Sequence, residues 1–192
     1  MKVRMNITGS TALLMHNARL SDPLDPITKR LKEVSSKRTK TDDDQERMAR
    51  IEFEGGLYFD EAAGPYIPGI NIHRCLVEAA KLNKLGRHVE RGVIALDEVC
   101  PVGYHGPRAI DEMWADKNFV SRLSVGVTTS RVMRTRPMFR TWVTEADFLV
   151  DNGQIDLPTF TEIAEKAGVM IGLGDYRPRF GRFEAVVEKI ED

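Results

Sequence analysis

The hydrophobic period of this chain switches from two to 3.6 and back, and it does so twice. Val3, Met5 and Ile7 alternate with Lys2, Arg4 and Asn6, the pattern of a strand with one buried face. Ile72, Cys75, Leu76, Ala79 and Ala80 then recur at helical spacing, behind Asn71 as N-cap and ahead of Gly86 as stop. Val93, Ile94, Leu96 and Val99 mark a second strand, and Trp142, Phe148 and Val150 a third. Leu157, Phe160, Ile163, Ala164 and Ala167 form another helical stripe, capped by Asp156 and ended by Gly168, before residues 183–190 alternate again. Amphipathic helices need an apolar surface to cover, and alternating strands provide one. The pattern predicts one antiparallel sheet from strands 2–8, 91–99, 139–150 and 182–190, with helices 71–84 and 157–167 on the same face.

The order strand, helix, strand, strand, helix, strand is the α+β, ferredoxin-like split β-α-β pattern that RNA-recognition modules share. At 192 residues the chain suits a single domain, 1–192, with two large insertions. One insertion covers about 16–65, between strand 1 and helix 1. The other, about 103–137, is a hairpin between the middle strands. In the first, Lys29, Arg30, Lys32, Lys37, Arg38 and Lys40 face only Glu33 before Asp42, Asp43 and Asp44 reverse the sign. Few large apolar residues occur over residues 20–50, which predicts an exposed, partly helical or mobile segment there and not core. Residues 51–60 read as a hairpin around Gly55-Gly56. In the second insertion, 110–114 reads as a short helix. Residues 119–132 read as a hairpin that turns near Gly126 or Thr128-Thr129-Ser130.

A net charge of −1 means that any nucleic-acid site must come from local segregation of charge. Cys75 and Cys100 form no Cys-x-x-Cys pair, which removes zinc-ribbon and disulfide frameworks and fits a reduced, cytoplasmic compartment. No signal-peptide core and no run of about 20 apolar residues occurs, so no membrane partner is expected. His16, His73, His88 and His105 lack metal-ligand spacing, and neither a metal nor another cofactor is expected. His73 reads as a helix packing residue. His105, loop-borne, is the best general-base candidate, with Asp97 and Asp111 as orienters. No nucleophile elbow or paired carboxylates accompany it, so no catalytic residue is assigned and a nuclease is the third-ranked function.

Two segments carry chemistry. Residues 168–183 place Gly168, Gly172, Gly174 and Gly181 among Arg177, Arg179, Arg182, Tyr176 and Phe180, between a helix and a strand. Glycine permits close backbone approach, and arginine supplies a planar fork for phosphate. Gly172-x-Gly174 follows a helix and precedes a strand, the reverse of a dinucleotide fingerprint. A tight connection with paired arginines is the plainer alternative. Residues 117–144 hold Lys117, Arg122, Arg131, Arg134, Arg136 and Arg140 without one acid, interleaved with Phe119, Met133, Met138, Phe139 and Trp142. Such a stretch suits a phosphate backbone; a solvated face paired to Asp111, Glu112 and Asp116 is the alternative.

Gly172, Gly174, Arg177, Gly181, Arg182 and Phe183 resemble the C-terminal glycine-rich loop of the RAMP superfamily. Ile67-Pro68-Gly69 resembles the entry those proteins place before their first helix. The superfamily includes the repeated backbone subunits of CRISPR effector complexes, which line guide RNA; a phage or mobile-element relative fits equally well. The resemblance covers about a third of the chain, and Asp175-Tyr176-Arg177-Pro178 departs from the usual small residues. It implies a non-catalytic subunit that binds single-stranded nucleic acid, RNA sooner than DNA, and assembles side by side as a homo-oligomer. The expected contacts are Arg122, Arg131, Arg134, Arg136, Arg140, Gly172, Gly174, Arg177, Arg179 and Arg182. A protein-interaction or structural role without nucleic acid is the alternative.

Overall fold

A computed structural model describes residues 1–127 and 130–190. In chain order the elements are β1 (Lys2–Gly9), β2 (Leu13–Leu14), α1 (Pro26–Ser35), α2 (Asp42–Gly56), β3 (Phe59–Asp60), β4 (Gly64–Pro68), α3 (Gly69–Lys81) and α4 (Gly86–Gly92). There follow β5 (Val93–Ala95), β6 (Val99–Pro101), α5 (Ile110–Ala115), β7 (Val120–Val127), β8 (Ser130–Phe139), β9 (Val143–Val150), α6 (Leu157–Lys166) and β10 (Phe183–Ile190). They form two compact units. One comprises Met1–Leu13, Phe59–His105 and Arg140–Asp192, the other Leu14–Tyr58 and Gly106–Phe139. Among the described residues no helix is long and apolar enough to cross a membrane.

The first unit is built on a four-stranded antiparallel sheet, order β10-β1-β9-β5. Met5 lies between Val187 and Ala146, so one residue parity of each strand faces the same way. Val3, Met5, Ile7, Ala146, Phe148, Val150 and Phe183 are buried on that face. Helices α3 and α6 contact each other, and the Phe160 ring sits 5.8 Å from Phe148. The sheet and the common helical face agree with expectation. Asp156 caps α6 by accepting the Thr159 N–H at 2.9 Å.

Several boundaries differ. Helix α3 starts at Gly69, directly behind Pro68, so Asn71 lies inside it and is not its cap. It ends at Lys81, ahead of the left-handed Lys84 (φ 61°), and Gly86 opens α4 instead of stopping α3. The expected strand 91–99 is interrupted after Ala95. There the Asp97 carboxylate accepts the Asp147 N–H at 2.8 Å, and β6 leaves to pair with β4 in a second sheet. The expected strand 139–150 starts at Val143, because Phe139 completes β8. Helix α6 does not end at Gly168: a wide turn, Ala167–Ile171, carries it to Gly172.

In the second unit, residues 20–50, expected to be an exposed, partly helical or mobile segment, form α1 and most of α2 and are exposed over much of their length, while a core forms around them. Helices α1 and α2 pack on each other, and α2 also packs on β8. Val34, Ile51, Phe53, Leu57, Met113, Phe119, Met138 and Phe139 are buried. The hairpin expected at 51–60 is instead the end of α2. Thr41 and Asp44 form a reciprocal capping box at its start, with Asp42, Asp43 and Asp44 at the positive end of the helix dipole. Gly55 and Gly56 end the helix where it is closely packed: a Cβ on Gly55 would stand 2.7 Å from Ile27, and one on Gly56 2.9 Å from Pro137. The basic run lies on α1 and just beyond it, where Arg30 reaches Glu54 at 3.4 Å and Lys37 reaches Asp44 at 2.6 Å. Strands β7 and β8 form a regular hairpin from Val120↔Pro137 to Val127↔Ser130. The turn expected at Thr128-Thr129 lies outside the described residues.

Candidate nucleic-acid interface

Directly opposed residues of an antiparallel pair share a face, and successive residues alternate. The register Ser121↔Arg136 and Leu123↔Arg134 therefore puts Arg134 and Arg136 on one face of the β7–β8 hairpin. Arg122↔Thr135 and Gly126↔Arg131 put Arg122 and Arg131 on the other. The cationic stretch is thus split two and two. Arg131 Nε donates to Ser124 Oγ at 3.1 Å across the strands. Arg140 lies beyond the hairpin, exposed, in the first unit.

Arg134 has a partner that the sequence did not suggest. Its Nη1 donates to Glu52 Oε1 at 2.6 Å, while Glu52 Oε2 accepts the Thr135 N–H at 2.8 Å. Glu52 is 5% exposed. Its helix brings it to the edge of β8, where it satisfies a backbone donor and holds the guanidinium. Asp111, one of the acids that the alternative reading set against the hairpin arginines, pairs with Arg50, whose guanidinium also stacks 5.4 Å from the Trp114 ring centre. The recognisable signal was the Thr41-x-x-Asp44 capping box, which starts the helix that carries Glu52.

The glycine-rich turn is held by its own main chain. Leu173 N–H donates to Gly181 O, and Gly181 N–H to Ala12 O, each at 2.8 Å. Gly172 (φ 80°), Gly174 (φ 75°) and Gly181 (φ 73°) are left-handed. At Gly181 a Cβ would meet Leu173 O at 1.7 Å, so both its dihedral and its surroundings demand glycine. The Gly172 carbonyl accepts from Cys75 Sγ at 3.2 Å and from Arg177 Nη1 at 3.3 Å. Burial pushes the Cys75 thiol up to about 12, so it stays protonated and can donate. Arg182 Nε donates to Pro178 O at 2.8 Å, and the Tyr176 and Phe180 rings pack 5.9 Å apart. Gly174 and Arg177 line a cavity that also holds Glu78 and Asp175. Arg179 and Arg182 are exposed. The hairpin and turn arginines thus fall in different units.

The open face of the four-stranded sheet is unlike an RNA platform. Ile94, Val143, Leu149 and Val186 are exposed there beside Glu145, Glu184 and Glu188. Arg4 makes a bidentate pair with Asp147 at 2.7 and 2.9 Å, holding that carboxyl below its usual range. No aromatic ring is available on it for base stacking. Of the general-base constellation, His105 is exposed, Asp97 is bound to the Asp147 N–H, and Asp111 is bound to Arg50. Among the described residues no three His, Cys, Asp or Glu side chains form a metal-holding group.

No family model and no curated protein sequence matches the chain. A solved structure does match: a chain from the cryo-EM structure of the Type III-B Cmr-beta bound to cognate target RNA, with a TM-score of 0.51 and 14% identity. The match covers 99% of this chain and 60% of that one. The present chain therefore spans about 60% of its relative's length, and at this identity the likeness is one of fold.

Proposed function

We propose that the chain is a non-catalytic, RAMP-like subunit that binds single-stranded nucleic acid, RNA sooner than DNA, and packs side by side with copies of itself. One observation carries it: β7 and β8 present Arg122, Arg131, Arg134 and Arg136 and no carboxylate of their own. The charge is segregated on a larger scale too. The unit containing the hairpin holds fifteen Lys and Arg against twelve Asp and Glu, net +3; the other holds thirteen against seventeen, net −4. Phosphate neutralisation needs such local excess. The strand order β10-β1-β9-β5 supports a ferredoxin-like core, taken as one domain that carries two insertions, and the solved relative was captured with RNA. The proposed contacts are Arg122, Arg131, Arg134, Arg136 and Arg140, with Gly172, Gly174, Arg177, Arg179 and Arg182 from the turn.

The test is a salt titration of RNA and DNA binding with the Arg134→Ala/Arg136→Ala protein. Affinity should fall by a similar factor for all sequences, and the salt slope should lessen by about 1 per lost phosphate contact. Unchanged affinity at low salt would overturn the proposal. A second reading, a protein-docking module, is favoured by the open sheet face, whose exposed apolar side chains sit among carboxylates that repel phosphate.

A further inference from the structure

Along β5, at one edge of the four-stranded sheet, the first unit has a groove of about 500 Å³. Its walls are Ile70, Val93, Ile94 and Ala95, and its polar groups are His73, Asp97 and Glu98. The main chain of β5 is half used. Leu96 N–H donates to Asp147 O at 2.9 Å, and Asp151 N–H to Gly92 O at 2.7 Å. Bonded and non-bonded residues alternate in an antiparallel ladder, so Val93 and Ala95 turn their main-chain groups away from β9. Val89 O takes the Val93 N–H at the end of α4, which leaves the Val93 C=O and both Ala95 groups at the edge. The side chains are half used too. His73 Nε2 is buried without a hydrogen-bond partner. Asp97 gives one oxygen to the Asp147 N–H, but among the described residues the exposed Glu98 carboxylate makes no hydrogen bond or ion pair. Ile70 is 67% exposed and Ile94 57%, and no Lys or Arg lines the groove.

We infer that this groove docks an extended segment of a partner protein, which adds to β5 opposite Ala95 and lays one arginine in the groove. An open strand edge is a template for another strand, and side-chain pockets beside it supply the selectivity. A residue directly opposite Ala95 shares its face, which is the face of Phe148 and of helix α3 with Ile70 and His73. Arginine fits there by chemistry. Its methylene stem covers Ile70 and Val93, and its five N–H donors serve Glu98 and His73 Nε2 together. A phosphate backbone would meet Asp97 and Glu98 as like charges, and an apolar side chain would leave both Glu98 and the imidazole unused. The inference stands apart from the nucleic-acid reading and needs none of the hairpin or turn arginines.

The experiment titrates the full chain into a fluorescein-labelled Thr-Val-Arg-Val-Thr amide and follows its anisotropy. Two control peptides carry norleucine in place of the arginine, or an N-methyl group on the arginine amide. The arginine peptide should saturate at one per chain, and each control should bind at least tenfold more weakly. Glu98→Lys and Ile70→Lys, both exposed changes, should each weaken the arginine peptide about tenfold or more by charge reversal and repulsion, with the melting temperature and RNA affinity unchanged. Failure of the arginine peptide to bind overturns the inference and leaves the nucleic-acid reading standing. Equal binding of the norleucine peptide overturns the arginine assignment, and equal binding of the N-methyl peptide overturns the strand addition. Affinity unchanged in both variants places the peptide elsewhere and overturns the inference. Self-association in sedimentation that Ile70→Lys abolishes would make a second copy the occupant and overturn it as well.

Discussion

In the β7–β8 hairpin the guanidinium of Arg134 is held by a buried carboxylate; in the turn before β10 those of Arg177 and Arg182 are held by carbonyls. A carboxylate neutralises the charge it orients, whereas a carbonyl leaves it in place and uses it to brace the main chain. The supporting backbone differs as well. The hairpin is regular antiparallel strand that accepts many side chains, but the turn depends on left-handed glycines packed against carbonyl oxygens. Two arginine clusters that look alike in composition thus answer differently to substitution.

The sharpest way to break this comparison is a pair of glycine changes. Gly181→Val should cost about 3 kcal/mol or more, since strain and a backbone clash combine, and urea denaturation should show it. Gly126→Val in β7, where an added Cβ meets nothing within 4 Å, should stay within about 0.5 kcal/mol. Equal losses would mean that the turn is no more constrained than the hairpin. Next in size is Glu52→Ala, expected to cost roughly 1–3 kcal/mol because the Thr135 N–H and Arg134 lose their acceptor together. Glu52→Gln should recover part of it, with thermal unfolding as the measurement.

Smaller effects separate shape from charge. Arg177→Ala/Arg182→Ala should lower the melting temperature as well as nucleic-acid affinity, and Arg134→Ala/Arg136→Ala, which strands the buried Glu52 carboxylate, should lower the melting temperature too while lessening the salt slope of binding. The least perturbing probe is thiol labelling. Burial pushes both Cys75 and Cys100 up to about 12, so neither should react with a thiol reagent at mildly alkaline pH until denaturant is added. Prompt labelling of Cys75 would show that the turn over it opens readily.

The core of the first unit was legible because its signals are local and repeated. Val3, Met5 and Ile7 alternate, and Leu157, Phe160 and Ile163 repeat at helical spacing, so burying either set leaves one choice of face. The second unit was harder to read for a physical reason. Residues 20–50 carry charges that suit solvent, and their buried apolar residues, Val34 and Ala49, lie on helices that pack on each other, α2 also on the distant strand β8. Gly55-Gly56 spells a turn in sequence, yet it serves close packing at the end of α2. The arginines of 117–144 were visible as charge but not as two faces, since their division follows from the β7–β8 register.

By itself the sequence determined which residues alternate, which repeat at helical spacing, and that the cationic stretch 117–144 contains no acid, because periodicity and charge belong to neighbouring residues. Only the tertiary structure decided that Glu52 holds Arg134, 82 residues away in sequence. It alone decided that Cys75 donates to the Gly172 carbonyl, 97 residues on. Such pairings are set by where helices dock on sheets and not by spacing along the chain: a buried carboxylate or carbonyl takes whatever donor the packing brings within reach, since leaving it unsatisfied costs more than any local preference can return.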